Sequence, residues 1–420
     1  MDRVTLRWAA IVVLLAGLSG VARAADDDAL RRKALALNDI TGLSAMEGQL
    51  RQLVKDEAGT KKLIAAAVKM ADEKPQPFNY NAAFVLAKCA QVFKDSDAAQ
   101  RFYKICVEDA KKLQSPTKLI EVYDGLIDLF SQNGKFDDAI KACQEFLELR
   151  KEPENPNDED PYGRVEPFVV EKMIQALARK GDIDKALKLT DELIERNKGS
   201  WYFVRLKAFV LREAGKLDEA VQAYQEAIEG LKKNKALDDK RRERIADGMR
   251  YLLSGLYVDL NQIDKAAEEL EALLKKEPEN PTFNNDLGFI WADHDMKLDE
   301  SEKLIRKAID EDRKQRKADQ DLTPEEDKDN PAYLDSLGWV LFKKKDYKEA
   351  KKYLLEAVEQ KEGEHMEILD HLADVHMALG EKDDAVKVWK KALAKEPETK
   401  RDKARKEEIE KKLKKAEEGK

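Results

Sequence analysis

Cysteine is scarce in this 420-residue chain: Cys89, Cys106 and Cys143 are all there are. An odd set of three excludes a disulfide framework as the device that holds the fold together. All three sit on apolar helical faces and read as small buried residues, with a Cys89–Cys106 bridge inside one helical pair left open. A glycine-rich phosphate loop, a nucleophile elbow and a paired-cysteine motif are also missing, so no catalytic constellation is visible and neither an enzyme nor a cofactor is expected. Positive charge is not in excess: 77 Lys and Arg stand against 85 Asp and Glu, a formal charge of −8. The two signs interleave, as in "KKLKKAEEGK", which argues against nucleic acid and for solvated helical faces.

What is present begins with "MDRVTLRWAAIVVLLAGLSGVARA". Arg3 and Arg7 precede an apolar run from Trp8 to Ala22, and Ala22-Arg23-Ala24 is a small-x-small ending, the layout of a cleavable secretory signal over residues 1–24. The run is shorter than the roughly 20 residues that span a bilayer, and no Cys follows it to take a lipid. The expectation is export to the periplasm or beyond, without stable membrane insertion after cleavage. Later segments are too polar to cross a membrane, and 39% charged residues with 7% aromatics point to helices.

The stretch "LDSLGWVLFKKKDYKEA" places Gly338 inside an apolar helical run, where Gly costs about 1 kcal/mol relative to Ala. Its pattern returns elsewhere. Leu337-Gly338, Leu341, Ala350, Leu354 and Ala357 correspond to Leu372-Ala373, His376, Ala385, Trp389 and Ala392, and to Leu287-Gly288, Trp291, Ser301, Ile305 and Ala308 with one extra residue in the turn. Eight copies are legible, anchored at Ala99, Ala139, Ala186, Ala220, Ala266, Ser301, Ala350 and Ala385, with spacings of 40, 47, 34, 46, 35, 49 and 35. Turns such as "GKFDDA", "GDIDKA", "GKLDEA" and "GEKDDA" put Gly where a first helix ends and Asp where the second begins. "KKDYKEA" has Lys345 in place of that Gly, and a strained or differently closed turn is expected there.

These residues resemble the tetratricopeptide repeat, a helix-turn-helix unit of about 34 residues. The resemblance implies an all-α, right-handed superhelical solenoid of about eight repeats with capping helices at both ends. Gly288, Gly338, Ala350 and Ala385 are then repeat-packing residues, where two helices approach closely. The expected organisation is a helical cap or degenerate repeat over 25–76, an array over 77–397, and a charged helix or tail over 398–420. Charged insertions near 151–167, 230–246 and 311–330 fall on one rim.

Family members use the first helices of successive repeats to line a concave groove that holds a peptide or a partner's helix. Carried over by position, the resemblance puts Asn285, Phe289, Asp335, Trp339, Phe342, Asp370 and Asp374 in that groove, together with Ala292 and Met377. Phe289, Trp339 and Phe342 are the expected anchors and the carboxylates favour a cationic segment. The alternative is that Trp339 and Phe342 pack between neighbouring repeats. Arg205, Phe209 and Arg212 hold the matching places in a middle repeat and form a secondary groove of opposite sign. His365, Asp370, His371, Asp374 and His376 cluster locally, but His376 falls on a core position and no metal site is expected. The functional expectation is a scaffold or adaptor outside the cytoplasm that binds a protein or peptide; the alternative is a structural subunit of an envelope complex or homo-oligomer.

Overall fold

A computed structural model describes residues 26–149, 165–318, 327–397 and 400–418. The expected signal segment, most of the insertion near 151–167 and the middle of that near 311–330 lie outside the described residues. Those described form twenty α-helices, two 3-10 turns and no strand. Helix α1 covers 26–36, followed by α2 (Leu43–Lys55), α3 (Glu57–Met70), α4 (Tyr80–Val92), α5 (Ser96–Lys112), α6 (Pro116–Gln132), α7 (Phe136–Glu148), α8 (Glu166–Lys180), α9 (Ile183–Arg196) and α10 (Trp201–Glu213). The second half holds α11 (Leu217–Lys232), α12 (Asp239–Asp259), α13 (Ile263–Lys276), α14 (Pro281–Asp293), α15 (Leu298–Lys317), α16 (Pro331–Lys343), α17 (Tyr347–Val358), α18 (Met366–Ala378), α19 (Lys382–Leu393) and α20 (Lys400–Glu417).

Local chemistry explains where the helices start. Ser115, Asn280 and Asn330 each cap a helix whose next residue is proline, which gives up an amide that would be unsatisfied anyway. Each first helix ends on one device. The residue five before the anchor is left-handed at Lys94, Gly134, Gly181, Gly215, Asn261, Lys345 and Gly380, with φ between 55 and 97°. The next amide donates to a carbonyl of the last helical turn at 2.8–2.9 Å, as from Asp95 to Ala90, Asp182 to Leu177 and Asp346 to Leu341. This is the Schellman closure. The copy with the extra residue closes with Met296 donating to Trp291 at 2.7 Å and carries two left-handed residues, Asp295 and Lys297. Lys345 therefore leaves the closure unchanged: a lysine takes the backbone conformation that glycine takes in its sister copies.

Contacts divide the chain into one unit ending at Lys216 and a second beginning at Leu217. In the first, α4 pairs with α5, α6 with α7 and α8 with α9, while α4, α6, α8 and α10 contact one another in succession. In the second, α12 pairs with α13, α14 with α15, α16 with α17 and α18 with α19; α14, α16 and α18 stack in turn, and α20 lies against α18 and α19. Each unit thus shows the nearest-neighbour logic of a solenoid. All eight anchors are fully buried. An added Cβ on Gly338 would lie 2.5 Å from Leu354 Cγ, and one on Gly288 would lie 2.7 Å from Ile305 Cγ1 and 2.9 Å from the Ser301 carbonyl oxygen. The mid-helix glycines are therefore sites of close helix approach. Ser301 uses its hydroxyl to bond the Gly288 carbonyl at 2.6 Å. Apolar clusters run across neighbouring pairs, one from Ala34 to Ala176 in the first unit, and one from Ala292 to Val375 and another from Met366 to Ala416 in the second. Cys89, Cys106 and Cys143 are free and buried, and burial pushes the Cys89 and Cys143 thiols up to about 12.

Candidate functional site

Helical periodicity puts residues 335, 339 and 342 on one side of α16, and 370, 371 and 374 on the matching side of α18. On this side Trp339 stacks on Phe342 of its own helix, with centroids 4.9 Å apart and planes at 8°. It also stacks on the imidazole of His371, one repeat on, at 4.0 Å and 14°. Phe289 of α14 reaches the same imidazole from two repeats away, at 6.4 Å. The Trp339 indole N–H donates to Asp293 Oδ1 at 3.0 Å. Two expected anchors, Trp339 and Phe289, thus meet His371, which sequence reasoning did not place there, and the third, Phe342, joins them through Trp339. Trp339 packs across the repeat boundary and still leaves part of its surface open, as do Phe289 and Phe342.

The acidic positions are covered. Asp335 is 5% exposed and accepts from His371 Nδ1 at 2.9 Å. Burial opposes the charged imidazole, but the adjoining Asp335 carboxylate outweighs it, so the pKa of His371 is raised. Asp370, 1% exposed, accepts from the Trp389 indole at 3.0 Å and from Lys412 at 2.9 and 3.0 Å. Lys412 also reaches Asp374 Oδ2 at 2.7 Å, and Arg405 pairs with Glu367 and, at 3.3 Å, with Asp370. Burial and the nearby Asp370 charge push Asp374 upward despite Lys412. The cationic segment that the carboxylates favour is thus already supplied by α20. Asn285 is 7% exposed; its amide nitrogen bonds Asp286 at 3.2 Å, and its side-chain oxygen has no partner among the described residues.

In the first unit, Arg205 bonds Glu171 at 2.6 Å, and Glu171 also accepts from the Tyr202 hydroxyl. Phe209 lies between two guanidinium groups, Arg179 at 5.6 Å and Arg212 at 5.3 Å from its centroid. Arg212 also pairs with Glu213 at 3.0 Å, so carboxylates accompany this cation–π arrangement, and Arg179 is a member that the position rule did not name.

The metal-capable groups divide differently from the sequence cluster. His371 faces Asp335, whereas His376, 6% exposed, donates to Glu381 Oε2 at 2.6 Å. His376, Glu381 and Asp384 converge, but Lys351 also bonds Glu381 at 2.6 Å and places a positive charge there. A cavity of about 900 Å³ opens at the start of α16, lined by charged groups including Asp312, Arg316, Asp329 and His365. Among the described residues no helix is long and apolar enough to cross a membrane.

Comparison with known proteins agrees with the repeat geometry. Family models described as tetratricopeptide repeat match residues 172–235, 251–316 and 332–363, and a PPR repeat model matches 121–150. A TPR repeat-containing protein of Pseudomonas aeruginosa is 27% identical over 220 residues, which is 51% of this chain and 32% of that protein. The chain thus spans about a third of that relative's length. Among solved structures, a tetratricopeptide repeat protein from Parabacteroides merdae is 16% identical at a TM-score of 0.46, covering 71% of this chain and 99% of its own. A thermophilic TPR protein of Thermus thermophilus is 15% identical at a TM-score of 0.37, covering 50% and 98%. No catalytic family is indicated. The tetratricopeptide matches fall on the copies anchored at Ala186, Ala220, Ala266, Ser301 and Ala350, and over those residues the chain is a tetratricopeptide repeat protein.

Proposed function

We propose that this protein is a non-enzymatic scaffold outside the cytoplasm that holds a peptide or helix of a partner protein against the first-helix face of its C-terminal repeats. The tetratricopeptide repeats support protein–protein interaction in general. The observation that carries the finer reading is the Phe342–Trp339–His371 stack with Phe289 beside it: three part-exposed aromatic rings on one face, braced from below by a buried histidine. Aromatic anchors held in fixed rotamers cost little entropy on binding and often dominate interface energy. The Arg179, Phe209 and Arg212 cluster offers a second face suited to an acidic segment. The secretory layout of residues 1–24 supports the location.

The test is a pull-down from envelope extract with residues 25–420 beside a Trp339→Ala/Phe342→Ala variant of matched helicity. A partner held by the parent and lost by the variant supports the reading. Equal capture by both would move binding off this face.

A further inference from the structure

Asp335 stands beside His371, Asp370 and Asp374 beside Lys412, and Glu171 beside Arg205. Asp286 of α14 has no such partner. Its Oδ2 accepts from the Tyr251 hydroxyl of α12 at 2.7 Å and its Oδ1 from the Asn285 amide at 3.2 Å, and among the described residues no Lys, Arg or His pairs with it. Burial raises the Asp286 pKa, and those two hydrogen bonds only partly offset it. The repeat does not require a carboxylate there, since the same place holds Ser336 in α16 and His371 in α18. Between α16 and α18 an imidazole in that place meets Asp335; between α12 and α14 the carboxylate meets only a hydroxyl. A second acceptor is idle beside it: the side-chain oxygen of Asn285, a residue 7% exposed, has no partner among the described residues.

Aromatic rings accompany this carboxylate. Tyr251 and Phe283 lie with centroids 5.6 Å apart and planes at 45°. Tyr333 of α16 meets Thr282 of α14 through their hydroxyls at 3.3 Å, and its pKa is raised by burial and by the nearby Asp312 and Asp286 charges. Tyr251, Phe283 and Asp286 are part-exposed, so the group is open to a ligand from the first-helix side. A half-buried carboxylate among aromatic rings, short of a donor, suits a guanidinium or ammonium group, held by a charge-assisted hydrogen bond and cation–π contact. We propose that Asp286, with Tyr251, Phe283 and Tyr333, receives an arginine or lysine side chain of the partner's peptide. This rests on the first-helix face being the working surface and adds the chemistry of one partner residue.

The experiment selects phage-displayed random peptides on residues 25–420 and measures the selected sequences as fluorescein-labelled synthetic peptides by anisotropy. The expected peptides carry Arg or Lys. Asp286→Asn weakens them at least about tenfold, as does replacing that Arg by citrulline or that Lys by norleucine. The two changes together cost little more than either alone, which pairs the two groups. Phe283→Leu weakens binding about two- to fivefold. Asp286→Asn removes a charge that burial disfavours, so its urea midpoint stays at or above that of the parent. A lower midpoint would make Asp286 a residue that holds the fold and overturns the proposal. Affinity that ignores Asp286→Asn, or that survives the neutral replacement in the peptide, overturns it too. If such peptides still depend on Trp339 and Phe342, this inference alone falls and the proposed function stands. A library that yields no binder overturns both.

Discussion

At the scale of single residues, the smallest side chains are under the tightest control. Gly288 and Gly338 occupy the same place in neighbouring copies, yet they differ in what an added methyl would strike. At Gly338 the obstacle is the Leu354 side chain; at Gly288 it includes the Ser301 carbonyl, which is fixed by its own helix. Both Gly→Ala changes overpack and should cost about 1–3 kcal/mol, with Gly288→Ala the more damaging of the two. Urea titration of both variants checks the order, and an equal or reversed cost would mean that α15 shifts as readily as a leucine rotamer. Lys345 offers the opposite case. A left-handed backbone costs a non-glycine residue roughly 1–2 kcal/mol, part of which glycine returns as chain entropy in the unfolded state. Lys345→Gly should therefore stabilise by about 0.5–1 kcal/mol, read as a higher urea midpoint at unchanged slope.

At the scale of helices, α16 and α18 are joined by a titrating pair. His371 has a raised pKa, so the charged Asp335–His371 contact contributes fully below about 6.5, the unfolded histidine value, and fades as pH rises through the higher folded value. Glu367 adds to this and Arg405 opposes it. The amides of α18, corrected for intrinsic exchange, should lose protection on going from acid to alkaline pH across that window, and His371→Gln should flatten the profile. Protection that rises with pH in the parent would contradict the assignment. Much of this level was legible in the sequence. The spacing of Ala99 to Ala385 located the crossings, and Gly134, Gly181, Gly215 and Gly380 marked the turns. Lys94 and Asn261 adopt the same left-handed turn without announcing it, because the helix pairing imposes the conformation that a glycine would merely favour. His371 read only as one member of a local cluster of metal-capable groups; its burial depends on Asp335 and Trp339, 36 and 32 positions away, and on α20 lying nearby. No local pattern encodes that. The ion pairs of Arg405 and Lys412 were hidden for the same reason, inside a segment whose charge density reads as a solvated helix or tail.

At the scale of the molecule, stability is a chain of neighbour contacts, with apolar clusters that run on from one helix pair to the next. Gly338→Leu should first lower exchange protection in α14 to α19 and leave α4 to α7 near their parental values. Simultaneous loss along the whole chain would point to a single cooperative core. The proposed function rests on the same architecture: a repeating first helix presents a face, and the residues on it differ from copy to copy, with carboxylates and aromatics near α16 and α18 and arginines around Phe209. The most direct measurement is photo-crosslinking in the native compartment, with a benzophenone amino acid at position 339 on the first-helix face or at position 355, an exposed leucine on the second helix of the same pair. The account predicts a discrete protein adduct from position 339 and none of that mass from position 355. Adducts from position 355 alone would place the working surface on the other side of the repeats and contradict it.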